Sequence, residues 1–233
     1  MKAGYNIKYM IKLCVFDMDG LLLDSERMMY YKTGLEVSAS LGKPISGHFL
    51  TEMMGASWAS IRENIIKEYG EDFPVDEYFD RYFKRVNYII DNETIPLRPG
   101  VKQILDYCKE NKIMMAVATS SNAHTAKMCL SHSKIFDYFD YIVTVEDVKN
   151  TKPDPEIFLK AIERSGYSKK EALIFEDGHN GARAAINGGC RLVLVEDLAY
   201  LDEKDKKEAE LHTDRIDKCI EYIRKENETA TGI

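Results

Sequence analysis

Tryptophan occurs once, at Trp58, proline six times and cysteine five times in 233 residues, and no apolar run approaches the length of a membrane span. So few prolines exclude a collagen-like or proline-rich chain. The cysteines, Cys14, Cys108, Cys129, Cys190 and Cys219, are odd in number and never spaced C-x-x-C, which argues against a disulfide framework and a zinc site. Reduced, structural thiols in a cytoplasmic protein are expected. The apolar stretch 11–16 is interrupted by Lys12 and stopped by Asp17, too short for a signal-peptide core or a span. Positive charge is also scarce: 32 Lys+Arg against 39 Asp+Glu leave a net charge of −7. The chain lacks the field that attracts nucleic acid or an anionic membrane. Neither is expected as a partner, and a monomer is expected.

What is present is a 45% hydrophobic content, enough to bury a core in one domain with an insertion or in two modest domains. Short β-rich runs at 13–16, 114–118, 141–145, 172–175 and 192–195 alternate with helical patterns at 101–110, 122–131, 155–165 and 180–187. This is the pattern of βα units feeding a parallel sheet covered by helices on both faces. The segment 26–92 breaks the rhythm, with helical periodicity at 28–41, 57–69 and 75–91 and no convincing strand. The aromatics of 75–91 read as the core of this helical insertion. The tail from Asp202 reads as charged and partly helical: 202–210 as a solvated face, Ile216, Ile220 and Ile223 as docking residues, and 226–233 as fraying.

In an open parallel sheet, ligands bind beyond the carboxyl ends of the strands. Here the strands are followed by Asp17-Met18-Asp19-Gly20, by Thr119-Ser120-Ser121-Asn122, by a loop leading to Lys152-Pro153, and by Glu176-Asp177-Gly178. Clustered carboxylates repel one another unless a cation or a reaction needs them, which implies a hard divalent metal. Asp17 and Asp19 project from the same side of an extended segment. They fit a nucleophile and an acid/base for phosphoryl chemistry, and equally a solvated acidic turn closed by Gly20. Thr119 and Ser120 offer hydroxyls and backbone N–H groups to a phosphate, while Ser121 or Asn122 alternatively caps a helix. Lys152, beside stiff prolines, fits charge neutralisation or plain surface. His179, in the loop after the fourth strand, lies near this edge by inference and reads as a solvent-facing loop residue.

Taken in order, Val15-Phe16-Asp17-Met18-Asp19-Gly20-Leu21 with Asp24-Ser25, Ala118-Thr119-Ser120-Ser121, Thr151-Lys152-Pro153-Asp154-Pro155 and Phe175-Glu176-Asp177-Gly178 resemble the haloacid dehalogenase superfamily, specifically its β-phosphoglucomutase-like branch. The resemblance implies an α/β fold: a Rossmann-like, doubly wound parallel-sheet core (1–25 and 93–233) with an inserted all-helical cap (26–92). It implies that Asp17 is the nucleophile and Asp19 the general acid/base, and that Thr119 and Lys152 hold phosphoryl oxygens. Mg²⁺ is implied on the Asp17 carboxylate, the Asp19 carbonyl and Asp177, with Glu176 beside it. Gly20, Ser120, Ser121 and Asn122 are expected near the substrate, together with Gly55 and Trp58 of the cap turn Met53-Met54-Gly55-Ala56-Ser57-Trp58. Trp58 either stacks on the leaving group or packs between cap helices.

Asp19 favours phosphate chemistry over dehalogenation, since the dehalogenase members generally lack the second aspartate. The sugar phosphate mutases of the branch grip a second phosphate through an arginine, a histidine, a lysine and an asparagine. The corresponding positions here are Trp58, Met29, Asn122 and Ala123. Charged donors are missing, so a Mg²⁺-dependent phosphatase acting on a small phosphorylated metabolite through an aspartyl phosphate is expected. A sugar phosphate mutase is the alternative reading, and a non-catalytic phosphometabolite-binding protein a further one.

Overall fold

The computed structural model describes residues 9–54, 56–198 and 201–231. Strand β1 (Leu13–Phe16) enters the molecule first. A π-helix, Glu26–Lys32, then runs into α1 (Thr33–Ser40), followed by α2 (Gly47–Glu52), α3 (Trp58–Tyr69) and α4 (Val75–Asn92). The chain returns through α5 (Val101–Glu110), β2 (Met114–Ala118), α6 (Ala123–His132), β3 (Tyr141–Val143), α7 (Glu156–Ser165), β4 (Ala172–Glu176), α8 (His179–Asn187) and β5 (Arg191–Val195). It ends with α9 (Glu203–Glu208), β6 (Leu211–Thr213) and α10 (Cys219–Thr231).

Among the described residues the strands form one parallel sheet in the order β3-β2-β1-β4-β5-β6. The order reverses between β1 and β4, which opens a crevice at their carboxyl ends. Alternate strand residues feed opposite faces. Cys14, Phe16, Val117, Phe175 and Val193 join one apolar layer, while Leu13, Val15, Ala116, Ile174 and Leu192 join the other. Phe16 stacks on Phe175 at 4.7 Å between ring centroids, which ties the two strands that flank the crevice.

The helices after β1 carry their own apolar cluster, including Phe49, Leu50, Ile61, Ile65, Tyr78 and Tyr82. The architecture is thus an α/β Rossmann-like core with a helical cap. The two connections to the cap run side by side: Asp24 N–H donates to the Pro96 carbonyl (2.8 Å) and Arg98 N–H to that of Leu22 (3.0 Å). Asp197, its side chain 1% exposed, binds Arg27 on the outgoing connection and Arg98 on the returning one, both at 2.7 Å.

Several local expectations change. The third strand ends at Val143, because Thr144 and Asp147 form a reciprocal capping box that starts a 3₁₀ turn. β6 was not anticipated as a strand, and α2, capped by the Ser46 side chain, was not anticipated as a helix. The tail does not fray at residue 226. Arg191 holds Glu226 at 2.6 Å and Asn227 bonds both backbone groups of Ile11, so α10 continues to Thr231. Nor is 202–210 wholly a solvated face: Asp205 is 1% exposed, held by His179 and Arg183.

Candidate active site

The sheet places the acidic residues where the strand order reverses. Asp17 follows β1, its N–H donating to the Phe175 carbonyl at 3.0 Å, while Glu176 ends β4 and Asp177 follows it. All three are buried, and their carboxylate oxygens lie within 4.8 Å of one another. Lys152 crosses to them from the loop before α7. Its Nζ lies 2.5 Å from Asp17 Oδ1 and 2.7 Å from Glu176 Oε1, and donates to the Ala118 carbonyl at 3.1 Å. That loop is held by Glu156, whose carboxylate accepts from the N–H groups of Lys149 (3.0 Å) and Asn150 (2.9 Å).

Burial decides the electrostatics. It raises Glu176 to about 7, with Lys152 pulling the other way, and raises Asp177 well above the carboxylate range, reinforced by Glu176 and Asp17. Burial works against the charge on Lys152, but Asp17 and Glu176 outweigh it and hold the ammonium above its ordinary value. Asp19 is raised by burial and by the Asp17 charge, against the hydrogen bond it accepts from Ser121 Oγ (2.9 Å).

Three carboxyl groups converge beside one ammonium, two of them, Glu176 and Asp177, hold protons that a cation would displace, and the all-oxygen donor set suits a hard cation such as Mg²⁺. The packing leaves room for these groups only because of glycine. Gly20 has φ +84°, and a Cβ there would lie 2.2 Å from Asp177 Oδ2. A second grouping, Glu26, Asp177 and Asp197, differs in that Asp197 already pairs with Arg27 and Arg98.

Of the residues expected from sequence, Asp17, Asp19, Thr119, Ser120, Lys152, Glu176 and Asp177 line one cavity of about 490 Å³. Thr119 is buried, and its Oγ1 accepts from Ser121 N–H at 3.0 Å. Gly20 and Ser121 are not among its lining residues, but Gly20 leaves space that Asp177 occupies and Ser121 Oγ donates to Asp19. Asn122 is instead the cap of α6, accepting from Thr125 N–H at 2.8 Å, and lines a separate cleft with Asn87 and Asp91. Trp58 does not line the cavity either. It is 46% exposed, and its ring is drawn onto Phe83 (5.1 Å), Tyr82 (5.4 Å) and Phe79 of α4. Gly55 lies outside the described residues.

The cavity also includes Met54, from the cap turn expected to dip toward the aspartates, His179, inferred to lie near the site, and Glu26, which was not assigned to it from the sequence. His179 is not simply solvent-facing: its Nδ1 pairs with Asp205 at 2.5 Å at the start of α8. Met54 sits in the expected cap turn. Glu26 had a signal only in its position directly after Asp24-Ser25. Burial, with Asp197, Asp19 and Asp17 nearby, pushes Glu26 to about 7.

A cap over an α/β sheet whose reversal point carries a buried Asp/Lys/Glu/Asp centre defines a capped α/β enzyme built to handle a phosphoryl group. The haloacid dehalogenase-like hydrolase family matches residues 14–195, and the chain belongs to that family. It is 33% identical over 197 residues to a probable pseudouridine-5'-phosphatase from Drosophila melanogaster, covering 82% of this chain and 84% of that one. It is likewise 33% identical over 182 residues to a phosphorylated carbohydrates phosphatase from Thermotoga maritima, covering 77% and 82%. The fold is similar to the crystal structure of a putative beta-phosphoglucomutase from Thermotoga maritima, with TM-score 0.77 and 26% identity over 92% of this chain and 99% of that one. The chain is a phosphoric monoester hydrolase of the β-phosphoglucomutase-like branch.

Proposed function

We propose that this protein hydrolyses a small phosphomonoester, a sugar, polyol or nucleotide-derived monophosphate, in two steps through Asp17. The Asp17 carboxylate attacks phosphorus, the bond to the leaving oxygen breaks, and Asp19 gives that oxygen its proton. Water then attacks the aspartyl phosphate while Asp19 takes its proton, the P–O bond to Asp17 breaks, and inorganic phosphate leaves. The observation that carries this reading is the pairing of a lysine-bound Asp17 with an Asp19 raised above its ordinary value, as an acid that must hold a proton requires.

Thr119 and Lys152 hold phosphoryl oxygens in this scheme, and Ser120 offers a further donor from the same wall. Asp17, Asp177 and the Asp19 carbonyl would hold Mg²⁺, with Glu176 beside it, and the ion when bound supplies neutralisation of phosphoryl charge. The helices of 26–92 act as the cap and close on the connections at 24–26 and 92–97, over a core made of 1–25 and 93–233. The relatives named for pseudouridine-5'-phosphate and for phosphorylated carbohydrates support a small hydroxylated substrate. Trp58, Met29, Asn122 and Ala123, where the mutases place an arginine, a histidine, a lysine and an asparagine, favour hydrolysis over phosphate return to a second site. The five cysteines, none in a disulfide, fit a protein working in the reducing cytoplasm, and it works there as a monomer in this reading.

The test is phosphate release from p-nitrophenyl phosphate and a panel of sugar, polyol and nucleoside monophosphates, with Mg²⁺ or chelator, beside an Asp17→Asn control. Metal-dependent release that disappears in the control is expected. Interconversion of hexose phosphate isomers faster than phosphate release would establish the mutase reading instead.

A further inference from the structure

Glu26 is the first residue of the π-helix that leads into the cap, an irregular turn of the kind that gathers at functional sites. It shares the cavity wall with Asp17, Asp19 and Asp177, yet its Oε2 is buried and makes no hydrogen bond. One turn further along the same helix, Tyr30 Oη is also buried without a partner. A buried polar atom left unpaired costs about 1–3 kcal/mol, so of these two residues Glu26, the one on the cavity wall, is placed to gain a partner when the cavity is filled. The nature of that partner follows from the surroundings. Lys152 is the one lysine or arginine among the described residues of the wall, and it already binds Asp17 and Glu176. A second phosphate at Glu26 would meet Asp177 and Asp197, whose oxygens lie within 4.8 Å of its own, and be repelled. A neutral donor fits: the carboxyl oxygen accepts hydrogen bonds from hydroxyl groups.

We propose that Glu26 is the specificity-determining residue of the site, accepting hydrogen bonds from hydroxyls on the leaving group's carbon skeleton and so selecting sugar and polyol phosphates. The inference rests on the phosphatase reading above and names its substrate class. Transition-state binding energy comes from such contacts only with substrates that carry the hydroxyls, because the same buried oxygen stays unpaired when the analogue lacks them.

The experiment compares wild type with Glu26→Gln and Glu26→Ala on glycerol 1-phosphate, sorbitol 6-phosphate and p-nitrophenyl phosphate, whose leaving group has no aliphatic hydroxyl. The Mg²⁺ concentration for half-activation is measured in parallel. For Glu26→Ala, kcat/KM on the better polyol phosphate is expected to fall about 10–100-fold further than on p-nitrophenyl phosphate, with Glu26→Gln between, and with the Mg²⁺ requirement of wild type. Equal losses on all substrates, or a raised Mg²⁺ requirement, would make Glu26 part of the phosphoryl or metal machinery and overturn the inference. Unchanged kinetics on all three would also overturn it. A wild type that cleaves p-nitrophenyl phosphate but no sugar or polyol phosphate defeats the inference alone; one that cleaves none of them defeats the phosphatase reading as well.

Discussion

Gly181 lies so close to Glu176 that a Cβ on it would stand 1.8 Å from Oε1 and 2.0 Å from Cδ. The first turn of α8 is thus built around a carboxyl group that also binds Lys152 and accepts from Asp177 N–H at 3.1 Å. Gly181→Ala must push that carboxyl away or shift α8. The substitution is expected to cost about 1–3 kcal/mol of stability, as overpacking does, and to lower kcat about 100-fold by displacing Lys152 and Asp177 together. Thermal melts and phosphate-release kinetics check both numbers, and a variant with full activity would mean that Glu176 moves without disturbing its neighbours.

Glu171 sits at the far end of the sheet, where its carboxylate pairs with Lys12 at 2.8 Å and accepts from Ser168 N–H (3.1 Å) and Oγ (2.8 Å). The Lys12 hydrogen bond first, and those from Ser168 next, lower it from 4.5 to about 2. A depressed carboxyl adds stability above its unfolded value and loses it as pH falls through the folded one. Stability should therefore decline from pH 4.5 toward 2 by a component that Glu171→Gln removes, read as a flatter plot of melting temperature against pH in that window.

The elements that position the site were legible because their signals are local. β1, β2, β4 and β5 are near-continuous apolar runs, and α5 begins after Gly100 and runs 101–110 as its periodicity predicts. Asp17, Lys152 and Asp177 share one cavity on the sheet edge where the sequence puts them, Asp17 and Asp177 directly after strands and Lys152 in a loop just before its prolines. β6 was not, since its three residues are half-buried or exposed and exist as a strand through pairing with Val193–Val195 of β5. Asp205 looks like any carboxylate in a charged run until tertiary packing brings His179 and Arg183 to it. Trp58 was readable as a ligand platform or a packing residue, and only the approach of α4 decides where its ring lies. The orientation of Glu26 depends likewise on how the cap meets the core.

Lys152 is the cation between Asp17 and Glu176, with 7% of its side chain exposed and its Nζ 4.8 Å from the Phe158 ring centroid. Lys152→Met keeps the apolar stem and removes the charge, leaving buried carboxylates facing one another. A loss of about 3–5 kcal/mol is expected near neutral pH in the absence of metal, the range for breaking a buried ion pair by removing one partner. Denaturant melts with chelator check it. A loss below about 1 kcal/mol would show that the carboxylates relax into water without the lysine.

Glu176 moves the other way from Glu171. Burial first, and then Asp17, outweigh Lys152 and raise it from 4.5 to about 7, so between those values the native state binds more protons than the unfolded chain. Stability of the metal-free protein should then fall as pH rises from 4.5 to 7, because the slope follows the difference in bound protons. Mg²⁺ bound to the carboxylates favours the native state by about 2.7 kcal/mol at a hundred times its dissociation constant, and binds best where they are deprotonated. The melting-temperature gain from Mg²⁺ should accordingly be larger at pH 8 than at pH 5, and Asp177→Asn should abolish most of it. A gain independent of pH, or one that survives in Asp177→Asn, would place the ion away from Asp17, Glu176 and Asp177.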